Sequence, residues 1–185
     1  MNRGTGAGGA GTNASGKTFE QATENESRLL AAGFVKKALA GKKGKNDYYL
    51  EKGPCVYMTQ GGLKSYFEVV HGKELCRHPD EAYLVRADDG TYTLKVLEKK
   101  NQTGAGSVDT KLWAGAAFAE EYRWCLGEGF KVEYAFCLSA YLQKDFLSDT
   151  KKYAFLRHYL AKEGVPVLFG EAPDYYATLD AWLGL

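Results

Sequence analysis

The sequence contains no CxxC pair. Its four cysteines stand singly at positions 55, 76, 125 and 137, which excludes zinc-ribbon and thioredoxin-like spacings. Cys76-Arg77-His78 is a short ligand cluster, but no second pair follows at finger spacing, so buried free thiols are the expected state. No apolar run reaches the roughly 20 residues of a membrane-spanning helix. Met1-Asn2-Arg3 and the glycines behind them lack the apolar stretch of a signal peptide, so a cytoplasmic setting without a membrane partner is expected. Excess charge is missing as well. Twenty-four Lys and Arg oppose 23 Asp and Glu, a net charge of +1, so any contact with nucleic acid must rest on how charge is distributed. Lys36, Lys37, Lys42, Lys43 and Lys45 form one basic run, and Lys151, Lys152 and Arg157 another. Each suits either a phosphate backbone or a solvated helix end.

What is present is a chain of 185 residues, 45% hydrophobic and 14% aromatic, enough for one self-sufficient core. The composition sets a flexible glycine-rich segment over 1–17 apart from a single domain over 18–185. Within that segment Gly11-Thr12-Asn13-Ala14-Ser15-Gly16-Lys17-Thr18 satisfies GxxxxGK[ST]. A phosphate-cradling loop needs a buried strand to deliver it, and residues 1–10 contain none. An apolar run ending in Asp is also wanting, Tyr83 to Asp88 being a poor match. A P-loop nucleotide hydrolase is therefore the alternative function, not the leading one.

Ser15 or Thr18 can cap a helix over about Phe19–Leu39, with Glu20 and Glu24 four apart on one face. Strands are expected at Cys55–Met58, closed by Gly61-Gly62, and at Tyr66–Val70. Two more flank an Asp88-Asp89-Gly90 turn, at Ala82–Arg86 and Thr91–Lys100. A helix from Ser107 or Thr110 to Leu126 follows, then a buried strand over Phe130–Leu142 and a helix over Gln143–Glu163. Val165–Phe169 reads as a short strand whose Pro166 suits an edge, and Tyr175–Leu183 as a final helix. The order defines an α/β fold with a mixed central β-sheet flanked by helices.

The organising stretch is Pro79-Asp80, the hairpin, and Glu98-Lys99-Lys100. Alternation along an extended strand puts Glu98 and Lys100 on one face and Lys99 on the other. The turn can fold Asp80 back towards Glu98. Two carboxylates and an ammonium would then share one spot, a grouping suited to a hard divalent cation beside a phosphate. Glu81 is the rival carboxylate, since a one-residue change of register would exchange it for Asp80.

Pro79-Asp80, Glu98-Lys99-Lys100, the following Asn101-Gln102 and the segment Gly106–Leu112 together resemble the PD-(D/E)xK nuclease superfamily. Within it the chain is most similar to small type II restriction endonucleases, over roughly residues 18–170. The resemblance implies a restriction-endonuclease-like core and Mg2+-dependent hydrolysis of phosphodiester bonds in double-stranded DNA at a short specific sequence. It implies Asp80, Glu98 and Lys100 as catalytic residues, the two carboxylates holding the metal. Glu20, or Glu24, would support the metal from the early helix, and Gln102 would position. Lys111, Ser107 and Lys43 are the candidate DNA contacts; a lysine in the first turn of a helix, as Lys111 is read here, stands against the helix dipole and so suggests a phosphate partner. Cutting both strands of a symmetric site implies a homodimer, and a cognate DNA methyltransferase acting on the same site would be its companion. A repair nuclease or junction resolvase of the same superfamily, or a binding module without catalysis, are the other readings.

Overall fold

A computed structural model describes residues 18–102 and 108–185. The segment 1–17, with Gly11–Lys17 of the P-loop match, and Ser107 lie outside the described residues. Seven strands form one mixed sheet in chain order, β1-β2-β3-β4-β5-β6-β7: β1 Val35–Ala38, β2 Tyr48–Lys52, β3 Cys55–Thr59, β4 Glu81–Arg86, β5 Tyr92–Lys100, β6 Phe130–Leu138 and β7 Val167–Phe169. The first five are joined antiparallel, neighbour to neighbour, and β6 and β7 run parallel. Helices flank the sheet, so the α/β class expected from the sequence is observed.

The chain divides into two compact units. One takes in Asn25–Glu98 and Gly115–Ala135. Its core is built where β3, β4 and β5 bury Tyr57, Met58, Tyr83, Leu84, Leu94 and Val96 beside Leu63 and Phe67 of the connecting helix. Each such aliphatic side chain contributes about 1.5–3 kcal/mol on leaving water. The β4–β5 turn forms at Ala87–Gly90: Gly90 takes φ +84°, and the Asp89 carboxylate accepts from the Thr91 N–H (2.9 Å) and hydroxyl (2.7 Å). The other unit holds Lys99–Ala114, Phe136–Leu185 and the N-terminal residues through Glu24. There Phe136, Cys137, Leu138, Leu156, Leu160, Leu168 and Leu179 are all buried. Gly170 admits no side chain, because a Cβ would stand 2.6 Å from Thr23 Cγ2 and 2.8 Å from both Cys137 Sγ and Phe19 Cζ.

Five expected elements differ. The strand expected over Phe130–Leu142 ends at Leu138, and a helix begins at Ala140. The helix drawn over Phe19–Leu39 is a helical turn over 18–22, a second helix Glu26–Ala31, and then β1. Asn25 interrupts it because its main chain and side chain are both committed to Glu81, and Gly33 at φ +90° turns the chain into the strand. Tyr66–Val70 is helical, not extended: helix Gln60–Tyr66 runs on as a π-turn, Phe67–His71. Gly61-Gly62 open that helix instead of merely closing β3, since a Cβ on Gly62 would meet the Tyr48 carbonyl oxygen at 2.5 Å. The helix expected to reach Leu126 is two, Val108–Leu112 and Gly115–Leu126. The one expected over Gln143–Glu163 is also two, Ala140–Phe146 and Lys151–Lys162, their link held by the Arg157 guanidinium donating to the carbonyls of Phe146 and Ser148.

Candidate functional site

The carboxylates of interest are set by one register. β4 and β5 pair Glu81 with Leu97 and Ala82 with Val96, so the same register carried one residue further sets Asp80 across from Glu98. Side chains directly opposite on an antiparallel pair share a face. Alternation then assigns Asp80, Ala82, Val96, Glu98 and Lys100 to one face of the hairpin, and Glu81, Tyr83, Leu97 and Lys99 to the other.

Contacts on the second face bear this out. Glu81 is 3% exposed and its carboxylate accepts from the Asn25 main-chain N–H (3.3 Å), Asn25 Nδ2 (3.0 Å) and the Tyr83 hydroxyl (3.0 Å). It is committed to structure, which leaves Asp80 as the carboxylate beside Glu98. Lys99 is 6% exposed, and its Nζ donates to the carbonyls of Thr23 (3.0 Å) and Glu20 (3.3 Å), closing the C-terminal end of the turn over 18–22. Lys100 ends β5 on the face of Glu98, and its carbonyl accepts from Ser139 N at 3.0 Å.

Beside the carboxylates lies a pocket of about 330 Å3, lined by Cys76, Arg77, His78, Pro79, Glu98, Phe118, Tyr122 and Tyr134. Its rim is the segment Cys76–Pro79, laid along one face of the helix Gly115–Leu126. The Arg77 guanidinium stacks on the Phe118 ring at 4.1 Å and pairs with Glu121, and Cys76 Sγ stands 2.7 Å from Cys125 Sγ. Positions 118, 121, 122 and 125 are one helical stripe. Burial pushes the Tyr134 phenol far above its ordinary range, and the negative charges of Glu98 and Asp80 push it further. Burial and Glu98 act likewise on Tyr122.

The thiol pair yields a test of this loop. The hydrogen bond to Cys125 holds the Cys76 thiol above its usual value, so Cys76 stays protonated at neutral pH and reacts slowly. Dilute peroxide is expected to join them: two thiols lose two protons and two electrons, an S–S bond closes, and the peroxide leaves as water. Mass spectrometry of the digested protein should find a Cys76–Cys125 linked peptide. Oxidation that links other cysteines first would contradict the docking of this segment.

The remaining sequence candidates fall elsewhere. Glu20 is exposed in the helical turn over 18–22, and Glu24 is half-buried. Gln102 lies past the end of β5, so strand alternation does not extend to it; its main chain is tied to the Ser139 hydroxyl, whose oxygen accepts from Gln102 N at 3.3 Å. Lys111 is in the last turn of the five-residue helix Val108–Leu112 and not in a first turn. A cation is favourable there, and the argument from the helix dipole for a phosphate contact no longer holds. Lys43 is exposed between β1 and β2. In the same basic run Lys36 pairs with Glu26 (2.9 Å), Lys37 with Glu51 and Lys42 with Glu68 (2.8 Å), so most of its charge is matched.

Sequence reasoning missed Arg77, Tyr122 and Tyr134. The signal for Tyr122 lay in its spacing: with Ala119 and Leu126 it makes the buried stripe of its helix, and a phenol carried into a core brings a hydroxyl that needs an acceptor or a donor. Among the described residues no three His, Cys, Asp or Glu side chains gather as a metal-holding group. Two opposed carboxylates remain a fitting set for magnesium, which takes one or two and keeps its other positions for water and phosphate. Set against known proteins, the chain matches no family model, no curated protein and no solved structure.

Proposed function

We propose that this protein is a magnesium-dependent endonuclease hydrolysing phosphodiester bonds of double-stranded DNA, in the manner of a type II restriction enzyme. The observation that carries the reading is the β4–β5 register, Glu81 opposite Leu97; carried one residue further it sets Asp80 across from Glu98, and alternation along β5 sets Lys100 on the face of Glu98. The succession of an antiparallel meander (β3, β4, β5), a helix (Gly115–Leu126) and a further strand (β6) is the order that the resemblance to PD-(D/E)xK nucleases calls for.

In this reading Asp80 and Glu98 hold the ion. Magnesium, when bound, supplies the positive charge that offsets the developing phosphorane and makes water more acidic. Lys100 orients the attacking water and takes up or balances negative charge on the phosphate oxygens. The buried phenols of Tyr122 and Tyr134 keep bulk water from the inner wall of the pocket. A homodimer matches the symmetry of duplex cleavage, and a methyltransferase of the same specificity would protect the host DNA.

Incubation with plasmid and phage DNA, with and without magnesium, tests this directly. Discrete fragments that require the ion are expected. A smear would move the reading to a non-specific or repair nuclease, and intact DNA under all conditions would end it.

A further inference from the structure

One side chain of the candidate pocket carries a polar atom that the fold does not use. Tyr122 is 2% exposed, lines the pocket with Arg77, His78, Glu98 and Tyr134, and its hydroxyl has no hydrogen-bond partner among the described residues. A buried hydroxyl left in that state is costly, and phenylalanine would fill the same space without the cost. The neighbouring carboxylate Glu98 can only accept, whereas Tyr122 can donate. A phosphodiester presents two non-bridging oxygens that only accept. The chemistry of the pocket is thus complementary: Glu98 would hold a cation, and the phenol is a neutral donor for an anion held beside it.

We infer that the Tyr122 hydroxyl donates a hydrogen bond to a non-bridging oxygen of the scissile phosphate, which makes it a further catalytic residue. This rests on the nuclease reading above. A neutral donor in a site already bearing two carboxylates binds an anion without adding a charge that would compete for them. It also acts most strongly when charge builds on the phosphate oxygens, so its contribution falls on the rate at saturating DNA and less on affinity.

The test uses the full chain and Tyr122→Phe, which removes only the oxygen. Without metal or DNA, the variant's unfolding midpoint is expected to equal or exceed that of the wild type; a lower midpoint would show that the hydroxyl already serves the fold, and would overturn the inference. With magnesium and a duplex containing the mapped cut, the turnover at saturating DNA is expected to fall at least tenfold with little change in KM. Sulfur placed at one non-bridging position of that phosphate should slow the wild type and add little to the defect of Tyr122→Phe. Wild-type turnover in the variant would overturn this inference alone. A wild-type protein that cuts no DNA would overturn the nuclease reading, and this inference with it.

Discussion

Glu98→Gln and Asp80→Asn are each expected to slow magnesium-dependent DNA cleavage by more than about a hundredfold, the scale of losing one electrostatic stabiliser from an active site. Both substitutions keep the size of the side chain and remove its charge. Magnesium, by binding the native state, should raise the wild-type midpoint and leave both variants unmoved. Lys100→Ala should cut as slowly as the carboxylate variants while keeping the stabilisation by magnesium, because its role is with the phosphate and water. Calorimetry and a plasmid-cleavage assay on the same preparations separate these outcomes. A variant that cuts at the wild-type rate would remove its residue from the site.

Glu81→Ala is expected to do the reverse: little to the chemistry and much to the fold. The substitution strands the Asn25 N–H and the Asn25 amide, both buried. Each orphaned donor costs about 1–3 kcal/mol, so a loss of at least about 2 kcal/mol is expected. For a chain of this size that lowers the midpoint by roughly 4–8 °C, at about 2–4 °C per kcal/mol. Glu81→Gln, which retains an acceptor, should lose less. Below its own midpoint the Glu81→Gln protein should still cleave. If instead Glu81→Ala melts with the wild type but is inactive, Glu81 belongs to the site and Asp80 does not.

The contrast between these neighbouring carboxylates marks where the sequence is legible. The β4–β5 hairpin could be read from its turn residues and from period-two alternation, and that alternation assigned Lys99 to the far side of β5, where it is found. β7 with Pro166 at its head and the final helix Tyr175–Leu183 were equally plain, because each is a local pattern; β6 was plain at its start but ends at Leu138, short of the expected Leu142. The break at Asn25 was not. Its cause is Glu81, 56 residues away, and no window of helical periodicity contains that partner. Tyr66–Val70 misled for a similar reason: β-branched and aromatic residues suit a strand, but here Phe67 and His71 meet the Phe130 ring, His71 also meets Tyr92, and Tyr66 lies against Phe67 and His71. Tertiary packing overrides propensity wherever a cluster of rings can be buried. For the site, the carboxylates and the lysine were visible as a motif, whereas Arg77 and the phenols became visible only with the helix Gly115–Leu126 in place.

The sheet carries one further lesson at its two borders. β1, the outermost strand on one side, is exposed along its whole length and carries Lys36 and Lys37 at its centre. β7 on the other side is three residues long and preceded by a proline. Both are the guards that keep an open border from recruiting a like strand of another molecule. Exchange of those two lysines for valine would leave a bare template of amides and carbonyls, and a concentrated solution would then be drawn towards fibres before any loss of native stability was felt.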